Sequence, residues 1–270
     1  EEKGEERSGW VHSKSDEVRE TLALFRSLPT SVIRDVCFPV GEYGRESARV
    51  LTGRVLRELQ GAGLVDSGPV LGRELSWWLT RRGCVSAGFG RPDVVGPHLG
   101  EFEHDMAVVR VWRVLCDPGL RGLVVPRGAS GVVDVEEVVT ERVMGGLSGL
   151  DGKRSDFALP LVKESGKAGF AWPDLVTVGG DGRCGHEVEW SQKNRNRLER
   201  LMRAYALDGR YVGAVYYHRP GFNGRRGTRG VVEDAARNVN EWLAGMGRGP
   251  CIVTRPLSLV DDVLEGKCVG

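Results

Sequence analysis

The chain has 270 residues, 38 Lys and Arg against 37 Asp and Glu, and 40% apolar residues. At roughly 100–200 residues per domain this is one large domain or two small ones, and the apolar content excludes a mostly disordered chain. No run approaches the roughly 20 apolar residues of a membrane helix, and Glu1-Glu2-Lys3-Gly4-Glu5-Glu6 lacks a signal-peptide core, so a cytoplasmic protein with no membrane partner is expected. The net charge of +1 excludes a uniformly basic protein and leaves room for local basic patches.

Residues 1–14 are charged and polar and read as a disordered tail. Ser15-Asp16 can cap a helix whose apolar residues are Val18, Leu22, Phe25 and Leu28. Pro29-Thr30-Ser31 ends it and starts a second helix carrying Val32, Ile33 and Val36. A third, over 46–60, places Ala48, Leu51, Val55, Leu59 and Ala62 on one arc and Arg49, Gly53, Arg57 and Gln60 on the other. Asp66-Ser67-Gly68-Pro69 reads as a turn, and 74–80 as a strand passing into a second turn. Three short helices and a small hairpin over 15–90 follow the order of a winged helix, whose third helix enters the major groove of double-stranded DNA. On that reading Arg49, Arg54 and Arg57 meet phosphates or base edges, with Arg73, Arg81 and Arg82 on the wing. Any solvated amphipathic helix carries similar arginines, so the hairpin that follows is what favours DNA.

Gly88, Gly90, Pro92, Gly96 and Pro97 mark a linker, and a second domain is expected over 95–270. It opens with a helix from about His98 to Cys116. Val132–Val135 and Val138–Glu141 are β-like, and 145–170, rich in Gly, Ser, Lys and Asp, reads as a mobile loop. The six cysteines, Cys37, Cys84, Cys116, Cys184, Cys251 and Cys268, form no CxxC pair and read as reduced thiols, mostly in the core. Cys184 and His186 alone fall short of a four-ligand metal site.

From Trp172 the sequence becomes specific. Trp172–Val178, the turn Gly179–Arg183 and Cys184–Trp190 form a hairpin. In its second strand Glu187 and Glu189 project to one face, and Asp174 can lie beside Glu187 across the ladder. Converging carboxylates repel one another, and oxygen ligands of this kind suit Mg2+ or Mn2+. The helix that follows carries Lys193, Arg195, Arg197, Arg200 and Arg203, with Leu198, Leu201, Met202 and Tyr205 facing inward. Residues 191–230 hold ten Lys and Arg against Glu199 and Asp208, a patch that attracts phosphate in a salt-dependent way. A buried strand over 211–217, a flexible basic loop over 221–227, a helix over 231–244 and a strand over 251–254 complete an alternating α/β core. His218 reads as an incidental surface residue.

Pro173-Asp174 and Glu187-Val188-Glu189 resemble the PD-(D/E)xK nuclease superfamily, in which Pro-Asp is followed by an acid–x–Lys triplet on the next strand. Here the triplet ends in Glu189 instead of Lys. The run Glu187–Lys193, with Tyr205 at the far end of the helix, resembles more closely the bacterial replication-relaxation family of plasmids and other mobile elements. Members are similar in having an N-terminal winged helix, a Leu-Thr-x-x-Gly turn (Leu79–Gly83), a helix starting near a His (His98 or His104) and an upstream Glu (Glu141). The resemblance spans about residues 17–218.

It implies an α/β protein: a winged helix, then a restriction-endonuclease-like mixed sheet flanked by helices. Glu141, Asp174 and Glu187 would be metal ligands, with Asp174 and Glu187 foremost, and Lys193 a catalytic lysine displaced to the following helix. Phosphodiester hydrolysis needs a cation to neutralise developing charge and activate water, and a lysine to orient the reactants; arginine is a poorer substitute because it keeps its proton. Lys193 is the only lysine between Lys167 and Lys267, yet on a helical wheel it lies away from the inward face. The function implied is a DNA-binding protein of a plasmid or integrative element that nicks or cleaves DNA in replication or mobilisation. The alternative is an inactive nuclease fold kept as a replication or transcription factor. Expected partners are double-stranded DNA and, at most, a second copy in a homodimer.

Overall fold

A computed structural model gives the fold and describes residues 2–70, 74–88, 96–125, 135–145, 156–162, 166–191, 193–221 and 227–267. The protein is α/β, and the chain divides into two compact units between residues 105 and 106.

The first unit runs α1 (Glu2–Leu24), β1 (Leu28–Pro29), α2 (Thr30–Cys37), α3 (Val40–Tyr43), α4 (Arg45–Gly61), β2 (Val65–Pro69), β3 (Leu75–Leu79) and α5 (Arg81–Ser86). Its three strands take the order β1-β3-β2, antiparallel throughout. Val18, Leu22, Ile33, Ala48, Val55, Leu56 and Leu79 are buried in its core. α1 begins well before Ser15, within the expected tail, because Glu, Lys and Arg are good helix formers and no proline intervenes. Asp16 lies inside the helix and pairs with Arg19 at 3.0 Å. On α4 the buried residues are Ala48, Thr52, Val55, Leu56 and Leu59; Leu51 is half-buried and Ala62 exposed, so the buried arc is rotated from the expected one.

Residues 66–69 form strand, where the sequence suggests a turn. They pair with Leu75–Trp78. β2 is an edge strand, which tolerates Pro69, and Gly68 leaves room for the Trp78 ring, 3.2 Å from where a Cβ would stand. The hairpin connection therefore falls over 70–74, and Arg73 lies outside the described residues. Leu79-Thr80-Arg81-Arg82-Gly83 acquires a physical reason. The Thr80 Oγ1 accepts the Gly83 N–H at 3.0 Å, capping α5, and donates to the Gly63 carbonyl at 2.7 Å. A Cβ on Gly83 would stand 1.9 Å from the Leu64 carbonyl oxygen.

The second unit takes up most of α6 (Phe102–Cys116) and continues with α7 (Pro118–Val124), β4 (Val135–Thr140), a helical segment α8 (141–145), β5 (Leu159–Val162) and β6 (Ala168–Ala171). Then come β7 (Leu175–Gly179), β8 (Gly182–Glu189), α9 (Arg195–Leu207), β9 (Tyr211–His218), α10 (Arg229–Gly245), β10 (Ile252–Pro256) and α11 (Leu257–Leu264). The five-stranded sheet has the order β10-β9-β8-β7-β4. β4–β7 and β7–β8 are antiparallel; β8–β9 and β9–β10 are parallel, and α9 and α10 supply the crossovers that parallel pairs require. Leu198, Met202 and Tyr205 of α9 and Ala235 and Val239 of α10 pack with Val176, Ala214 and Tyr216 of the sheet. Part of the loop expected over 145–170 is a hairpin: Leu159–Val162 pairs with Ala168–Ala171, and Gly166 just ahead of β6 has φ +75°. Residues 146–155 and 163–165 lie outside the described ones. Among the described residues no helix is long and apolar enough to cross a membrane.

Gly83→Ala is expected to cost about 2–3 kcal/mol, since the backbone carbonyl facing it has little freedom to move. Gly53→Ala, in α4 with nothing within 4 Å of its Cβ, is expected to be neutral or to stabilise by about 0.5–1 kcal/mol. Urea unfolding midpoints of the two variants check the contrast.

Candidate active site

β7 and β8 bring the acids together. Leu175 pairs with His186, so Asp174 arrives opposite Glu187, and its Oδ2 accepts the Val188 N–H at 2.7 Å. Alternation along β8 turns Gly185, Glu187 and Glu189 toward α9. The Tyr205 hydroxyl donates to Glu187 Oε1 at 2.6 Å, and Lys193 Nζ donates to Glu189 Oε1 at 2.8 Å. Gly185 makes the first of these bonds possible, because a Cβ there would lie 2.2 Å from the Tyr205 ring. Asn194 fixes the start of α9: its side chain accepts the Asn196 N–H at 2.9 Å. That cap leaves Lys193 just outside the helix, so the helical wheel that would aim it away from the acids does not apply to it.

Glu187 is 4% exposed and Glu189 is fully buried, while the Lys193 side chain keeps 28% of its surface. Burial drives the Glu187 carboxyl well above the ordinary carboxylate range. The charge of Asp174 drives it further, against the opposing pull of Lys193 and the Tyr205 hydrogen bond. Burial alone would lower the Lys193 ammonium, but Glu189, Glu187 and Asp174 outweigh it and hold the lysine protonated. Burial and the Glu187 charge keep the Tyr205 phenol protonated. One ammonium therefore serves three carboxylates, and the corner favours an added proton or cation.

Glu141 joins this group only in part. Its N–H donates to the Asp174 carbonyl at 3.0 Å, and its side chain is exposed. Among the described residues no group of three or more His, Cys, Asp or Glu is arranged to hold a metal. Two facing carboxylates remain, Asp174 and Glu187. That donor set fits Mg2+ or Mn2+, since Mg2+ is commonly held by one or two carboxylates, with water and substrate phosphate completing the shell.

Cys184 and His186 face the other side of the sheet. His186 lies between the Thr177 Oγ1 at 3.0 Å and the Tyr217 hydroxyl at 3.2 Å. Burial pushes its pKa down to about 3 and that of Cys184 up to about 12, so both are neutral core groups. His218 is 3% exposed, a buried residue rather than the surface histidine expected. It pairs in register with Glu189 and sets its Nε2 3.6 Å from Glu233.

Beside the acids runs a cleft of about 890 Å3. Phe170 and Trp172 line it, together with Arg197, Arg200 and Leu201 of α9 and with Lys193. Sequence reasoning misses Phe170 and Trp172; the signal available is two aromatics immediately before Pro173-Asp174. The basic patch is partly neutralised within the fold. Glu199 takes Arg195 at 3.0 Å and Arg203 at 3.6 Å, and Asp208 takes Arg210 at 2.6 Å. Arg197 stands exposed.

In the first unit Arg49, Arg54, Arg57, Arg81 and Arg82 are all exposed. Arg49 pairs with Glu46 at 2.5 Å and Arg54 with Glu58 at 2.9 Å, and Arg57 Nε donates to the Gly53 carbonyl at 2.8 Å. Exposed pairs of this kind are worth about 0–1 kcal/mol, little enough to be exchanged for a phosphate. Compared with protein-family models, curated proteins and solved structures, the chain has no significant match.

The raised Glu187 has a consequence for stability. A carboxyl whose folded pKa lies above its unfolded value near 4.5 binds its proton more tightly when folded, so stability falls as pH rises above 4.5. Glu187→Gln keeps an acceptor for Tyr205 and removes that loss. Thermal melts at mildly alkaline pH are expected to show the variant more stable than wild type, with the gap closing toward pH 4.5.

Proposed function

We propose that the chain is a DNA-binding protein made of an N-terminal winged helix and a C-terminal PD-(D/E)xK-like nuclease domain. It nicks or cleaves DNA with Mg2+ or Mn2+, in the replication or mobilisation of a plasmid or integrative element. The observation that carries the nuclease reading is Lys193 Nζ, 2.8 Å from Glu189 Oε1. The position that holds lysine in the family pattern holds Glu189 here, and a lysine from four residues downstream bonds the carboxylate that stands there. Asp174 beside Glu187 at the antiparallel β7–β8 step, followed by a helical crossover to parallel β9, supports the restriction-endonuclease-like fold. The order β1-β3-β2 with α4 ahead of the hairpin supports the winged helix.

Asp174 and Glu187 would hold the cation, which when bound neutralises charge on the phosphate and lowers the pKa of a bound water. Tyr205 holds Glu187 in place with a hydroxyl that stays protonated. Lys193, kept as an ammonium by its three acidic neighbours, donates to the anion and balances the buried Glu189. Arg197 and Arg200 bind the strand backbone along the cleft. On the first unit, Arg49, Arg54 and Arg57 bind duplex phosphate.

A second reading keeps the fold and drops the chemistry. It is favoured by the raised Glu187 carboxyl, which would carry a proton where a metal ligand must give one up. A plasmid-nicking assay separates the two. With Mn2+, wild type is expected to convert supercoiled plasmid to open circle, and Asp174→Ala and Lys193→Met to lose at least about 100-fold. Equal rates in all three would leave only the binding scaffold. Separately, Arg49→Ala with Arg57→Ala is expected to weaken duplex binding and to make the salt slope shallower by about 1 for each phosphate that is no longer neutralised. Filter binding across a salt series reads that slope.

A further inference from the structure

We infer that the cleft beside the carboxylates binds a single, unpaired DNA strand, with a base stacked on Phe170 or Trp172 and the backbone held by Arg197 and Arg200. The inference rests on the proposed nuclease reading and names the form of DNA that its site takes.

Two features of the cleft point to a strand and not to a duplex. The first is its lining. Duplex binding is dominated by phosphate interactions of Lys and Arg, and its bases stay stacked on one another. Here arginines of α9 and two aromatics line the same cleft: Phe170 is 36% exposed, and Trp172 is half-buried. Aromatic faces opposite cations are how proteins hold unpaired strands, since every base has a face to stack and every nucleotide a charge to bind. The second is size. About 890 Å3 is the scale of a pocket for a drug-sized ligand, which suits an unstacked nucleotide. The β5–β6 hairpin supplies Phe170, and among the described residues its two strands pair only with each other. Lys193 lines the same cleft and touches Glu189, so a backbone held by Arg197 and Arg200 leads toward Asp174 and Glu187.

The test is fluorescence anisotropy of the full-length protein with a short labelled oligodeoxythymidine, in EDTA so that no cleavage is needed. Phe170→Ala is expected to weaken strand binding by about 5- to 100-fold while changing affinity for a blunt duplex by less than about twofold; Phe170→Tyr keeps the stacking face and is expected to retain strand affinity. Arg197→Ala is expected to weaken strand binding and to make its salt slope shallower by about 0.7. If Phe170→Ala and Arg197→Ala both fold, by circular dichroism, and both bind the strand as wild type does, the inference is wrong. Parallel losses for strand and duplex in Phe170→Ala would overturn it as well. Absence of nicking with Mn2+ counts against the nuclease reading and leaves this binding result standing; loss of the strand site leaves the nicking result standing.

Discussion

Two buried glutamates, a half-buried aspartate and one ammonium share a corner of the second unit, and the side chains around them answer that imbalance of charge. Glu187 and Glu189 come from a central strand, Asp174 from the mouth of its antiparallel neighbour, and Lys193 from the turn that opens the crossover helix. Charges so placed repel in a medium where screening is weak. A fold selected for stability alone would fill these positions with apolar residues, which often do as well or better than buried ions. The acids instead stay held by specific donors: the Val188 N–H for Asp174, the Tyr205 hydroxyl for Glu187, Lys193 for Glu189. Gly185 and the Asn194 cap follow from the same need, one admitting the Tyr205 ring and the other releasing Lys193 from the helix.

Basic residues divide by what they already touch. Arg195, Arg203 and Arg210 are held by Glu199 and Asp208, and Arg49 and Arg54 by acids of their own helix. The exposed pairs of Arg49 and Arg54 cost little to break, so a polyanion can take those arginines, whereas the acids that hold Arg195, Arg203 and Arg210 are themselves largely buried. Arg197 belongs to a different class because it faces a cleft with aromatic walls. The two units thus present two kinds of basic surface, one a helix face and the other a lined groove.

The hairpin that brings the acids together was legible because period-two alternation around Gly179–Arg183 leaves one register for Asp174 and Glu187. The helix over 195–207 was equally clear from Leu198, Met202 and Tyr205. Other features were hidden for identifiable reasons. Pro69 and Gly68 look like turn residues, and only the edge position of β2 and the Trp78 ring make them strand. β5 and β6 are four residues each, too short to stand out among Gly, Ser and Lys. His218 lies next to a basic loop in sequence but under Glu233 in space. The reach of Lys193 depends on where α9 begins, a boundary that sequence fixes only to within a few residues. How far Glu199 and Asp208 neutralise the basic patch depends on side-chain geometry that a charge count cannot express.

The proposed function needs Asp174 and Glu187 to hold one divalent cation between them. Anomalous scattering from a crystal soaked in Mn2+ decides this. A peak is expected within coordination distance, about 2.0–2.3 Å, of an oxygen of each residue, absent in a crystal of Asp174→Asn. A clear anomalous map with no peak there, or with Mn2+ bound only at exposed carboxylates elsewhere, would contradict it.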